Sequence, residues 1–155
     1  MHVNKLPQAE DQAWRAFLHT HARVIRRLDA ELQAERGLTL SGYEVLLRLR
    51  TAPKCGIRMS QLAEEVLLSP SGCTRVVDQL VTRGLVQRSR DPSDARSQLA
   101  VLTERGRNEL RAAAPVHVRG IREHFTGRLT AAELETIARA LGTVCDAGGA
   151  GSCTP

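Results

Sequence analysis

The chain has 155 residues, 42% of them hydrophobic, enough for a single core and too apolar for a disordered chain. No apolar run approaches the ~18 residues that span a bilayer, and the opening "MHVNKLPQAEDQAW" lacks the apolar stretch of a signal peptide, so a cytoplasmic location is expected. Lysine and arginine outnumber aspartate and glutamate by 22 to 17, a formal charge of +5, which suits a polyanionic partner; with aromatics at only 3%, duplex is favoured over single strands, whose bases stack on rings.

Apolar residues at Trp14, Phe17, Leu18, Val24, Ile25, Leu28 and Leu32 recur at helical spacing. They predict a first helix over 11–36, about seven turns at 3.6 residues each, ended by Gly37. Ser41 and Glu44 fit a capping box, followed by Val45, Leu46 and Leu49 on one face and closed by Pro53 and Gly56. Ile57 to Met59 predicts one small strand. Ser60 then opens a brief helix with Leu62, Ala63 and Val66 inward. Ser69 is a natural N-cap and Pro70 suits the first helical position, where its missing N–H costs nothing. This fourth helix ends at Gly84. Residues 85–89 and 97–102 predict two strands joined by the turn-forming, charged "RDPSDAR". Thr103 opens a helix carrying Leu110, Val118, Ile121 and Phe125, which Pro115 should kink. Thr130 and Glu133 make a second capping box before Leu134, Ile137, Leu141 and Val144. Residues 146–155, "DAGGAGSCTP", read as a disordered tail. The fold class is mainly α with one small sheet.

The helices from Ser60 and Ser69 form a helix-turn-helix pattern. Cys73, Val76, Val77 and Leu80 share one side of the second helix; Gly72, Arg75, Gln79 and Thr82 share another. A helix entering a major groove about 12 Å wide benefits from small residues at its front. The free N–H groups there suit a phosphate. Arg75 can reach a guanine edge with two hydrogen bonds, worth roughly 1–3 kcal/mol of discrimination. Ser71, Thr74 and Gln79 are further candidates for base or phosphate, as are Ser60 and Ser69 at the helix starts. Arg88, Arg90 and Arg96 gather around the hairpin. Placed directly after a helix-turn-helix, that hairpin has the arrangement of a wing, and Asp94 is close enough to pair with Arg96. An arginine so extended can enter a narrow minor groove, where the potential is strongly negative.

With these residues in view, the sequence resembles the MarR family of winged helix-turn-helix transcriptional regulators over 38–106. The resemblance is carried by Ser71 to Leu80, Arg83 to Arg88, Asp94 with Arg96, and Leu102 to Gly106. It implies a single MarR-like domain over 1–145. Within it, 40–103 form the winged helix-turn-helix, and 10–36 with 104–145 form flanking dimerisation helices. It also implies a homodimer on a near-palindromic double-stranded operator, Arg75 on bases, and Arg96 in the minor groove positioned by Asp94. Most such proteins repress genes, and many release DNA when a small aromatic or phenolic ligand binds between the dimer and DNA lobes. Trp14, His21 and Tyr43 are candidates to line that pocket.

Other readings make different demands on the residues. Some relatives sense oxidants through a cysteine near the start of the first helix, where none of Cys55, Cys73, Cys145 and Cys153 lies. Cys73, on the recognition helix, remains an oxidant-sensing alternative beside its reading as a small buried residue. The cysteines show no CxxC spacing, and His19, His21, His117, Glu123 and His124 are too loosely spaced for an obvious metal site, so neither a metal nor another cofactor is expected. No catalytic constellation, glycine-rich phosphate loop or metal pair presents itself, so an enzyme is a poor fit and none is expected. A winged-helix protein-interaction module without DNA binding is the remaining alternative; it would not need Arg75, Arg90 and Arg96 free together.

Overall fold

The first helix sets the frame for the rest. The computed structural model describes residues 6–147, with backbone alone at 95, 96, 146 and 147. Helix α1 runs Gln8–Arg36 and stops at Gly37, whose φ of 58° is left-handed and whose N–H reaches the Gln33 carbonyl. Of its apolar stripe only Leu28 and Leu32 are buried. Trp14, Phe17, Leu18 and Ile25, all upstream of Leu28, remain exposed.

Helix α2 (Leu40–Thr51) starts two residues before the expected box. Thr39 is its cap, the hydroxyl accepting the Gly42 N–H at 3.0 Å. The Leu40 N–H is held by Asp29 of α1 at 2.8 Å, a long-range partner that moves the helix start upstream of Ser41. Strand β1 (Ile57–Arg58) is followed without a gap by α3 (Met59–Glu65), so Ser60 lies inside the first turn and caps nothing. Helix α4 (Pro70–Thr82) has the expected start: the Ser69 hydroxyl accepts the Gly72 N–H at 3.1 Å. At the far end the Arg83 guanidinium donates to the Gly37 carbonyl at 2.7 Å and to the Arg36 carbonyl at 3.2 Å. A cation there also complements the negative end of α1, tying α4 to it.

Strands β2 (Val86–Asp91) and β3 (Asp94–Leu102) run further into "RDPSDAR" than expected, leaving only Pro92 and Ser93 as the turn. The sheet is antiparallel with order β1-β3-β2, and an irregularity falls between Arg90 and Asp91. Thr103 caps α5 (Glu104–His124), accepting the Gly106 N–H at 3.0 Å. The helix passes Pro115 without ending. After a short 3-10 turn, Thr126–Arg128, helix α6 spans Ala131–Ala147 behind the expected Thr130–Glu133 box. It thus runs two residues into the segment read as a tail; residues 148–155 of that segment lie outside the described residues.

One core joins these elements. Leu32, Val45, Leu46, Leu62, Cys73, Val77 and Ala113 are sealed within it. The last turns of α1 and the length of α5 are linked by polar contacts as well: Arg36 to Glu109 at 2.9 Å, Arg119 to Glu35, and His124 to Glu31 at 2.5 Å. Among the described residues, no helix is long and apolar enough to cross a membrane.

Candidate nucleic-acid interface

Helix α4 divides sharply by face. Cys73, Val77 and Leu80 are buried against the core, because their i, i+4, i+7 spacing puts them on one side of the helix. Ser71, Thr74, Arg75 and Gln79 are exposed. The side chains of Thr74, Arg75 and Gln79 make no hydrogen bond or ion pair among the described residues, while Ser69 and Ser71 share a hydroxyl contact at 3.3 Å. Ser60 is exposed on α3. The outer face therefore presents a small, polar, cationic edge whose donors are unspent.

The hairpin behind α4 has a different distribution of charge from the one expected. Arg88 is not part of a free cluster. It is half-buried, ion-paired with Asp78 of α4 at 2.8 Å, and donates to Gln98 at 2.7 Å. The ion pair with Asp78 braces the hairpin base against α4. Arg90 is exposed and has no polar partner among the described residues. Asp94 accepts a hydrogen bond from the Ser97 hydroxyl at 2.8 Å. Arg96 stands on β3, and its pairing with Asp94 lies outside the described residues.

Near the tip, sequence reasoning missed a cluster. Asp91, buried, accepts from the Ser93 N–H at 2.8 Å, the Ser93 hydroxyl at 2.7 Å and the Arg58 guanidinium at 2.7 Å. The two Ser93 bonds, then that of Arg58, hold its carboxyl down at about 2. Arg58 also reaches the Ser93 hydroxyl at 3.1 Å. The Asp-Pro-Ser turn was a visible signal; Arg58, 33 residues away from Asp91, was not.

The three proposed ligand-pocket residues do not come together. Trp14 stacks on Phe17 and Phe17 on His21, both at 6.2 Å between ring centroids. His21 lines an apolar groove of about 670 Å³ between α1, α6 and the 3-10 turn, with Phe17, Val24, Phe125 and Leu141. Tyr43 is instead a core side chain, its ring 4.4 Å from that of His117. Burial pushes the Cys73 thiol up, and the nearby Arg88 offsets this only in part; reactive thiols need the opposite shift. Across α1 and α5, Glu31 joins Glu123 and His124 with one donor atom from each within 4.8 Å. Glu31 lies 93 residues from His124, so local spacing could not reveal that grouping.

A half-buried two-helix unit with a bare second helix and an adjoining antiparallel hairpin defines a winged helix-turn-helix protein. Comparison narrows the class: residues 38–98 match the MarR family model. The solved structure of Sco3205 from Streptomyces coelicolor, a MarR family transcriptional regulator in complex with DNA, superposes with a TM-score of 0.87 at 30% identity, covering 97% of this chain and 94% of that one. CouR from Rhodococcus jostii RHA1, bound to p-coumaroyl-CoA, gives 0.73 at 26% identity over 87% of this chain and 92% of that one. YkoM of Bacillus subtilis (strain 168), an uncharacterized HTH-type transcriptional regulator, is 33% identical over 94 residues, 60% of this chain and 59% of the relative. The chain thus spans little more than half of that relative's length. This chain belongs to the MarR family of transcriptional regulators.

Proposed function

We propose that the chain binds double-stranded DNA as a homodimer, reads a near-palindromic operator, and represses transcription until a small aromatic or phenolic ligand releases it. The observation that carries this reading is the outer face of α4, where Thr74, Arg75 and Gln79 are exposed with no internal polar partner. Solvated in the free protein, those side chains are available to the base edges and phosphates of a duplex. Arg75 is assigned to a base edge; Ser60, Ser69, Ser71, Thr74 and Gln79 to bases or phosphates; Arg90 to the backbone; and Arg96, oriented by Asp94, to the minor groove. Sco3205 was solved with DNA and CouR with p-coumaroyl-CoA, which supports both halves of the reading.

Selection of bound fragments from the source genome tests the proposal. It should enrich a near-palindrome with half-sites about 34 Å apart. Log affinity should fall linearly with log salt as phosphate contacts release counterions. Arg75→Ala should relax preference at particular base pairs. Absence of enrichment, with a flat salt response, would leave a protein-interaction module instead.

A further inference from the structure

The wing is a hairpin with uneven support. Strand β1 pairs with β3 only at Ala100 and Leu99. Beyond that point the ribbon from Arg90 to Gln98 is two-stranded, and two-stranded ribbons are marginal on their own and twist strongly. Its base is braced by Arg88 on Asp78. Its tip is held by Arg58, which projects from β1, immediately before α3, onto Asp91 and Ser93. Asp91 in turn fixes the turn through both the N–H and the hydroxyl of Ser93. The tip of the wing is thereby bonded to the first residues of the helix-turn-helix unit rather than left to swing about the sheet.

We infer that Arg58 and Asp91 form a latch that sets the pitch of the wing, making both of them positioning residues for DNA recognition. This rests on the DNA-binding reading above. Arg90 immediately precedes Asp91, at the irregularity in the ladder, so the latch also fixes where that exposed guanidinium points. A preorganised wing meets the duplex without first losing ribbon entropy, and a loose one must be ordered on binding.

The latch makes a prediction of unusual sign. Asp91→Asn removes a negative charge from a surface that faces a polyanion, and charge alone would then tighten binding. The latch requires the opposite: with Arg58 released, affinity for the genome-selected operator should weaken on the order of ten-fold, the worth of a lost charge-assisted contact. Discrimination at the outer base pairs under the wing should fall while that at the pairs under α4 is kept. Arg58→Ala should do the same, and Arg58→Ala should cost little more once Arg90 is already Ala, because the two act through one element. Thermal melts run beside these titrations ensure that affinities are compared among folded proteins. Asp91→Asn binding as tightly as wild type or tighter would overturn the latch. So would additive losses in the Arg58 and Arg90 cycle with the salt slope falling by about one, which marks a direct phosphate contact by Arg58. If wild type selects no DNA, the functional reading itself fails; wild-type binding with these outcomes sinks the latch alone.

Discussion

At the scale of single residues, His117 is the side chain whose environment departs furthest from its sequence appearance. Its ring lies tilted at 37° to that of Tyr43, and both its ring nitrogens are buried without a partner among the described residues. Burial lowers its pKa, since a charged imidazole would lose its hydration there. The sign follows from linkage. Above the ordinary histidine pKa the ring is neutral in folded and unfolded chain alike and nothing is gained or lost. As pH falls through about 6.5, the unfolded chain takes the proton first and stability declines, until the folded pKa is passed and the loss levels off. His117→Phe keeps a ring against Tyr43 and removes the proton site. Its melting temperature should therefore gain on wild type as pH is lowered from about 7.5 to about 5.5, at fixed protein concentration. A constant gap would mean that the imidazole is not held neutral. None of this was legible in the sequence. Tyr43 read as a pocket residue because a lone aromatic near a helix junction looks available, and its partner lies 74 positions away.

At the scale of elements, legibility tracks how local the determinant is. The starts of α4, α5 and α6 could be read directly, because Ser69, Thr103 and Thr130 each satisfy an N–H three residues on. The start of α2 could not, since Asp29 of α1 captures the Leu40 N–H from outside. The turn of the hairpin was read too long for the same reason: Arg58 holds Asp91 in the ladder from another strand. Arg88 read as a free wing charge because Asp78, its partner, faces it only after α4 and β2 have packed. Helix α5 shows what such packing demands. A Cβ at Gly106 would sit 2.1 Å from the Leu85 carbonyl oxygen and 2.7 Å from Leu102. Backbone cannot yield as a side-chain tip does, so Gly106→Ala should destabilise by about 1–3 kcal/mol or more. Gly142 of α6 has nothing within 4 Å of the same position. Gly142→Ala should be neutral or should stabilise by up to about 1 kcal/mol through helix propensity. Denaturant midpoints compare the two directly, and equal midpoints would show that α5 does not press on the strand as described.

At the scale of the whole molecule, the apolar surface is unevenly finished. The winged unit seals its core, whereas Trp14, Phe17, Leu18 and Ile25 on α1 and Leu141 and Val144 on α6 are exposed. These are the residues whose helical spacing marked an apolar stripe in the sequence, and among the described residues nothing buries them. Fully burying one such side chain gains about 1.5–3 kcal/mol, and several together outweigh the cost of association. A second copy would supply the same face by two-fold symmetry and would set two α4 helices against successive turns of one duplex. The prediction is a dimer at micromolar concentration by light scattering. Phe17→Glu combined with Leu141→Glu places charge on both contributing helices, outside the sealed core, and should give a monomer with its helical circular dichroism retained. That monomer should bind a half-site as weakly as before but lose roughly 100-fold on the palindrome, because the second lobe no longer binds as a tethered partner. A wild-type monomer, or a double variant still dimeric, would place the interface elsewhere; a monomeric variant that held the palindrome at full strength would show that one winged unit reads the operator alone.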